Sequence, residues 1–100
     1  MLMQKSVEFK IDLNAKGKHG WTAFHWVCRN GKSQTVRLIM QNSAEFHIAL
    51  NAKDYKNNTP FILACTTGQS NIVALLLQKS IEFNIDLNSK SRNSFTGDFF

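Results

Sequence analysis

The sequence has few of the residues that build compact chemical sites, and it has no long apolar run. In 100 residues it has one proline, five glycines, three histidines and two cysteines. The cysteines, Cys28 and Cys65, come with too few clustered histidines for a zinc site. No apolar run approaches the roughly 20 residues of a membrane span, and the N-terminal residues lack the apolar stretch of a signal peptide. We therefore expect no transmembrane segment and an intracellular, cytoplasmic location.

The charge is basic but dispersed. The formal net charge is +5, which permits acidic partners, yet no run of like charges exceeds two residues. A basic nucleic-acid-binding arm is therefore not expected. The hydrophobic share of 43% is ordinary for a folded protein, so disorder is not expected either. The length allows one small domain, whose core is marginal unless it is regular or docks on a partner.

The chain contains three similar copies of one eleven-residue segment. "SVEFKIDLNAK", "SAEFHIALNAK" and "SIEFNIDLNSK" begin at Ser6, Ser43 and Ser80, so the period is 37 residues. A fixed period of this size is typical of stacked repeats. It divides the chain into the end of a preceding repeat (1–16), two whole repeats (17–53 and 54–90) and an incomplete repeat (91–100). The chain therefore resembles a piece of a longer array.

Each repeat predicts two short helices. Thr59 followed by Pro60 is a helix start, because the hydroxyl accepts from a free backbone N–H and proline fits the first turn; Thr22 takes the same place one repeat earlier. The first helices should end at Gly31 and Gly68, where glycine tolerates a left-handed conformation.

The second helices are apolar over a wide stripe. We expect Ser33 and Ser70 to cap them, and we expect the helices to be buried between neighbours. After Ser43 and Ser80 the apolar residues alternate with polar ones, which predicts an extended segment. A polar turn follows, "AKDYKNN" at 52–58. The phenylalanines of the repeated segment, Phe9, Phe46 and Phe83, should stack along the array.

In this order the motifs resemble the ankyrin repeat. "NNTPFILACTTGQSNIVALLLQ" follows the family pattern closely, "GWTAFHWVCRNG" follows it with Ala23 in the proline place, and "IDLNAK" and "IDLNSK" match its return segment. The resemblance extends to Lys90. It implies an all-α repeat solenoid of stacked helix-turn-helix units joined by extended β-hairpin-like turns. The period departs from the family's, about 33 residues, and Ile62 replaces the usual histidine, so the second repeat should lack that polar tie.

No catalytic constellation is present, so we expect no enzyme activity, no cofactor and no metal. His25 should be structural, hydrogen-bonded to Thr22 and the neighbouring turn, as the resemblance implies. Equivalent positions on stacked helices lie about 8–10 Å apart, beyond disulfide reach, so Cys28 and Cys65 should be packing residues.

Lysines repeat in register with the turns. Lys16, Lys53, Lys90 and Arg92 form a predicted basic edge of the solenoid. This edge is either a solvated set of turns or a docking edge for an acidic surface. An alternative function is electrostatic attachment to nucleic acid or an anionic membrane, with nucleic acid the less favoured.

The resemblance implies a non-catalytic protein–protein interaction module that binds through its turn tips and first helices. The predicted partner-binding residues are Lys18, His19, Trp21, Arg29, Asn30, Tyr55, Lys56, Asn58, Thr66 and Thr67. Trp21 is the expected aromatic anchor, whereas Trp26 could pack between helices. Two whole repeats fall below the usual minimum of about three. Apolar residues near both ends, Leu2, Met3, Phe95, Phe99 and Phe100, predict a weakly stable or self-associating chain.

Overall fold

The computed structural model describes residues 12–88, which form two stacked helix pairs. The first pair is α1 (Ala23–Arg29) and α2 (Ser33–Gln41), and the second is α3 (Pro60–Thr66) and α4 (Ser70–Gln78). A short 3₁₀ turn, Lys18–Gly20, precedes α1. No strand occurs between residues 12 and 88. The predicted all-α solenoid is confirmed, and its β-hairpin-like connections are turns.

The first helices start where the threonines predict. Thr22 Oγ1 accepts from the His25 N–H at 3.4 Å, while His25 Nδ1 accepts from the Thr22 N–H at 3.1 Å, a reciprocal capping box. Thr59 Oγ1 accepts from the Ile62 N–H at 3.2 Å, with Pro60 in the first turn. Each cap satisfies donors that the helix itself leaves free.

The serines predicted to cap the second helices do not cap them. The capping positions are Lys32 and Gln69, whose side chains make no capping hydrogen bond, and the serines are the first helical residues. The reason is the tight turn before them. Gly31 has φ 70° and accepts from the Ser33 N–H at 3.1 Å, so the chain is helical one residue earlier than expected. Ser33 Oγ instead accepts a hydrogen bond from Asn71 of the second repeat.

The core lies between the two helix pairs. Helix α1 packs on α3 and α2 packs on α4, and each pair is also joined internally. The residues that fill this core are Phe24, Cys28, Val36, Met40, Ile48, Leu50, Phe61, Ala64, Ile72, Leu75, Leu76 and Ile85. Truncating one of its fully buried large side chains to alanine costs about 2–5 kcal/mol. The expected burial of the second helices is incomplete, because Leu38 and Leu77 stay 50% and 49% exposed.

The outer face of the second repeat carries an apolar recess. Cys65, Val73 and Leu77 line it, together with small residues. Their equivalents in the first repeat, Cys28, Val36 and Met40, are buried in the shared core. The recess is thus the same packing surface one period later. The self-association predicted through the apolar chain ends stays a prediction, because Leu2, Met3, Phe95, Phe99 and Phe100 lie outside the described residues.

The segment after each second helix is not extended, contrary to the alternation pattern. Residues 42–47 form continuous turns, in which the Phe46 N–H donates to the Asn42 carbonyl at 3.1 Å and the Ile48 N–H donates to the Ser43 carbonyl at 2.9 Å. The chain leaves this helical path only at His47, with φ 54°. Phe46 and Phe83 both pack against the core. Phe9 lies outside the described residues.

Asparagine side chains form hydrogen bonds between these segments of successive repeats. Asn14 Nδ2 donates to the His47 carbonyl at 2.8 Å, and its Oδ1 accepts from the Ala49 N–H at 2.7 Å. One period later, Asn51 makes the same two bonds with the Asn84 carbonyl and the Asp86 N–H, both at 2.8 Å. Each asparagine therefore fixes the left-handed residue of the next repeat. The repeated "LN" of the sequence marks the asparagines that form these hydrogen bonds.

Candidate functional site

The candidate site is the face formed by the turns and the first helices. The turn before α1 lies beside the turn before α3, because the Tyr55 N–H donates to the His19 carbonyl at 3.2 Å. Gly20 makes the approach possible: it has φ 75°, and a Cβ there would lie 2.6 Å from Cδ1 of Tyr55. Only glycine fits both the conformation and the contact. The two turn tips are therefore held as one surface.

Asp54 is the centre of this surface, although the sequence suggested an exposed turn residue. It is only 7% exposed. Its Oδ1 accepts from the Lys56 and Asn58 backbone N–H groups at 2.8 and 2.7 Å. Its Oδ2 accepts from the Trp21 indole at 2.8 Å and from Asn58 Nδ2 at 3.2 Å. The carboxylate thus closes its own turn and ties it to the preceding repeat.

These hydrogen bonds decide the charge state of Asp54. Burial alone would raise the pKa of the carboxyl. The donors, led by the Asn58 N–H and the Trp21 indole, outweigh burial and hold the pKa of Asp54 below its ordinary value. The group is therefore a buried carboxylate at neutral pH. Its negative charge is shielded from a partner.

His25 makes the second tie between the repeats, as predicted. Its Nε2 lies 2.8 Å from the Asn58 carbonyl, and its Nδ1 accepts from the Thr22 N–H. Because those partners are an acceptor and a donor, the neutral ring carries its proton on Nε2. Burial lowers the pKa of His25, although the Asn58 carbonyl and the Asp54 charge act the other way. Ile62 at the equivalent position is buried without such a tie.

A cluster of rings and a guanidinium covers the start of α1. Trp21 meets Trp26 edge-on, with ring centroids 4.5 Å apart and an interplanar angle of 82°. His19 lies 4.6 Å from Trp21, and the Arg29 Cζ lies 5.5 Å from the Trp21 ring centre. Trp21 is half-buried and its N–H is occupied by Asp54, whereas Trp26 is 37% exposed. The more accessible tryptophan is therefore Trp26, whose position the sequence left open between surface and helix packing.

Most of the other predicted partner-binding residues lie on the outside of this face. Lys18, His19, Arg29, Asn30, Tyr55, Lys56, Thr66 and Thr67 are all exposed. Asn58 is not, because it is buried and its backbone and amide hold Asp54 and His25. The residues fall into two groups, one on the turn tips and one at the ends of the first helices.

The ends of the first helices are also tied together. Gln69 Nε2 donates to the Arg29 carbonyl at 2.8 Å, and Asn71 Nδ2 donates to the Gly31 carbonyl at 3.3 Å. Thr66 and Thr67 turn their hydroxyls back to the Leu63 carbonyl, at 3.2 and 2.6 Å. These bonds fix the relative positions of the two helix ends.

The predicted basic edge is partly internal to the fold. Lys16 Nζ donates to the Lys53 carbonyl at 2.6 Å, one period away, while the Lys53 side chain is exposed. Lys90 and Arg92 lie outside the described residues. Lys16 therefore serves as a cross-repeat bond as well as a surface charge.

Across residues 12–88, no three His, Cys, Asp or Glu side chains are placed to hold a metal ion. In the same stretch, no helix has the length and apolarity needed to cross a membrane. Cys28 and Cys65 are both free thiols, and burial raises the pKa of each. Neither is poised as a nucleophile.

Comparison with known protein families identifies the repeat. A family model described as ankyrin repeats, in three copies, matches residues 2–90. A search of curated proteins gives no significant match. The family match spans both helix pairs and the return segments on which the resemblance rests.

Proposed function

The chain belongs to the ankyrin-repeat family, whose repeats generally mediate protein–protein interaction, and we propose that it is a non-catalytic module that binds another protein through its turn tips and first helices. The proposal includes a reducing, intracellular setting, in which Cys28 and Cys65 remain thiols. The binding mechanism is rigid presentation of side chains, and it needs no cofactor.

The observation that carries the proposal is the anchored turn of the second repeat. Asp54 and Asn58 are locked to Trp21 and His25 of the first repeat, at 2.8 Å in both cases. Tyr55, between the two anchors, is left 63% exposed. An immobilised loop loses little conformational entropy on binding, so more of the contact energy appears as affinity. Aromatic residues on such loops are effective interface anchors.

The charges of this face favour an acidic partner. The exposed charged groups on the turns and first helices, Lys18, Arg29, Lys53 and Lys56, are all cations. The carboxylate within the face, Asp54, is buried and hydrogen-bonded. An acidic protein surface would meet complementary potential there and be steered to it.

The test is capture of partners by the whole chain, compared between two pairs of added carboxylates. Asn30→Glu with Thr66→Glu places two negative charges on the proposed face. Thr35→Glu with Gln78→Glu places the same two charges on exposed positions of the second helices. Both double variants change the net charge equally, so a difference between them reports location. Replacing Trp21 would be less clear, because its indole also holds Asp54.

We expect that the wild type and the Thr35→Glu/Gln78→Glu variant retain a protein partner at high salt. The Asn30→Glu/Thr66→Glu variant should not retain it. Equal retention by both variants would show that binding uses another face. Capture of nucleic acid or acidic lipid that washes off in salt would instead support attachment through the basic edge, since counterion release makes such contacts strongly salt-dependent.

A further inference from the structure

We propose that Arg29 is the anion-recognition point of this face, and that the partner supplies an acidic peptide segment in which a carboxylate pairs with Arg29 while an adjacent apolar side chain packs on Trp26. This inference rests on the proposed function, because it names the chemistry that the interaction face would select.

Arg29 is held ready for an anion. Its guanidinium lies 5.5 Å from the Trp21 ring centre, and Nη1 donates to Asn30 Oδ1 at 3.2 Å. No carboxylate of residues 12–88 forms an ion pair with it, and it is exposed at the end of α1. A guanidinium carries five N–H donors in a planar fork, so a carboxylate can still be bound through two of them. The stacking on Trp21 limits the rotamers that would otherwise be lost on binding.

Trp26 supplies the apolar half of the site. It stands three residues before Arg29 on the same helix, so the two side chains share a face. Both contact Trp21, Trp26 by its edge and Arg29 over the ring. Trp26 keeps 37% of its surface exposed. A ligand that fits both side chains has a carboxylate next to an apolar group, which is the chemistry of an acidic peptide with interspersed leucine or similar residues.

The site occurs once in the described repeats. One period after Trp21, Trp26 and Arg29 the chain has Asn58, Leu63 and Thr66. The second repeat therefore lacks the rings and the cation. Among the exposed cations on this face within residues 12–88, Arg29 is the one that lies over a ring. A single fixed guanidinium suits one carboxylate, whereas a nucleic-acid strand requires several cations placed along successive phosphates. Lys16, the nearest member of the predicted basic row in sequence, is engaged with the Lys53 carbonyl. These observations favour the peptide.

The test uses the full 100-residue chain and four labelled ten-residue peptides. Their compositions are Glu with Leu, Gln with Leu, Glu with Ser, and Lys with Leu, so carboxylate and apolar contributions are varied separately. Binding is measured by fluorescence polarisation. A uridine oligonucleotide and phosphatidylserine vesicles serve as the other anionic probes.

The variants are Arg29→Gln, Arg29→Lys and, as the matched control, Arg37→Gln. Arg37 is exposed on α2, so its substitution removes the same charge from another face. Circular dichroism at matched concentration checks that each variant is folded.

We expect the Glu/Leu peptide to bind best. Arg29→Gln should weaken it about tenfold or more, because one charge-assisted pair is lost, and Arg37→Gln should change it less than about twofold. Arg29→Lys should recover only part of the affinity, because it restores the charge and not the fork.

The failures can be told apart. Equal effects of the Arg29 and Arg37 substitutions on a bound peptide, or no difference between the Glu/Leu and Gln/Leu peptides, would overturn the role of Arg29 and leave the interaction function standing. Binding of the oligonucleotide or the vesicles alone would overturn both. No binding of any peptide up to millimolar concentration would overturn this inference, and partner capture would then decide the proposed function separately.

Discussion

Asp54 ties the two repeats together, and the effect of removing it can be worked out from its hydrogen bonds. Asp54→Ala leaves four donors without their acceptor: the backbone N–H and the side-chain Nδ2 of Asn58, the Trp21 indole and the Lys56 N–H. A buried donor left unpaired costs about 1–3 kcal/mol, and only the two Asn58 donors make buried bonds, so we count those two and expect a loss of about 2–6 kcal/mol. A domain of this length has about 5–15 kcal/mol in total. The substitution should therefore remove a large part of the stability.

Urea unfolding followed by tryptophan fluorescence and circular dichroism measures this loss. With a slope of about 2 kcal/mol per molar urea, the midpoint should fall by about 1–3 M. Asp54→Asn keeps one acceptor oxygen, so its urea midpoint should lie between those of the wild type and Asp54→Ala. Glu45→Gln is the control, because Glu45 is exposed and its loss changes the net charge by the same amount as Asp54→Asn.

Two results would refute the reasoning. If Asp54→Ala and Glu45→Gln had the same free energy of unfolding within about 0.5 kcal/mol, the bonds to Asp54 would contribute nothing measurable. If Asp54→Ala and Trp21→Phe were additive in a double-mutant cycle, the bond between the two side chains would not couple the repeats.

The pH dependence gives an independent check on Asp54. Its pKa is lower in the folded chain than the ordinary value of 3.8, so its stabilisation is complete above that value. The stabilisation is lost as the pH falls through the folded pKa, because the native carboxylate must then be protonated. The stability curves of the wild type and Asp54→Asn should therefore approach each other in strong acid.

Three further predictions concern the other ties between the repeats. Burial lowers the pKa of His25 from 6.5, so as the pH falls the unfolded chain is protonated at this residue before the folded chain, and wild-type stability should fall below about pH 6.5. In urea unfolding at pH 7, His25→Ile should be about 1–3 kcal/mol less stable than the wild type. Between pH 7 and pH 5, the variant should not show the loss of stability that His25 causes in the wild type. Asn51→Ala should speed hydrogen exchange of the Asp86 amide and leave the Ala49 amide protected, and Asn14→Ala should speed exchange of the Ala49 amide and leave the Asp86 amide protected. Equal exchange of the two amides in both variants would contradict the asparagine hydrogen bonds between repeats. Gly20→Ala should cost more than Gly68→Ala in thermal unfolding, since both have positive φ but only Gly20 meets a ring, and the excess should shrink in a Tyr55→Ala background.

The helix boundaries could be predicted because they depend on local chemistry. A threonine cap, a proline in the first turn and a left-handed glycine act over four residues or fewer, and the 37-residue period repeats the threonine and the glycine. The structural role of His25 was predicted correctly from the resemblance to the ankyrin repeat. The shift of the serine caps by one position came from the glycine turn, whose tightness the sequence pattern does not encode.

The errors have a different origin, which is contact between repeats. Phe83, Ile85 and Leu87 alternate with polar residues over too short a stretch to separate an extended segment from a turn. The burial of Asp54 depends on Trp21, which comes 33 residues earlier. For the same reason Trp21, the expected anchor, is half-buried, and Trp26 is the more accessible of the two tryptophans. Long-range partners of this kind cannot be deduced from a local pattern, although the asparagine at the 37-residue period was a readable signal.

The central claim is that the turns and first helices form the binding face, and chemical-shift mapping tests it most directly. The isotope-labelled chain would be titrated with the Glu/Leu peptide while backbone amides, both indole N–H groups and the Arg29 guanidinium are followed. We predict that the changes concentrate on Trp26, Arg29 and Tyr55, while the Trp21 indole stays hydrogen-bonded to Asp54. Changes centred on Ser33–Gln41 and Ser70–Gln78, with the first helices unaffected, would contradict the account.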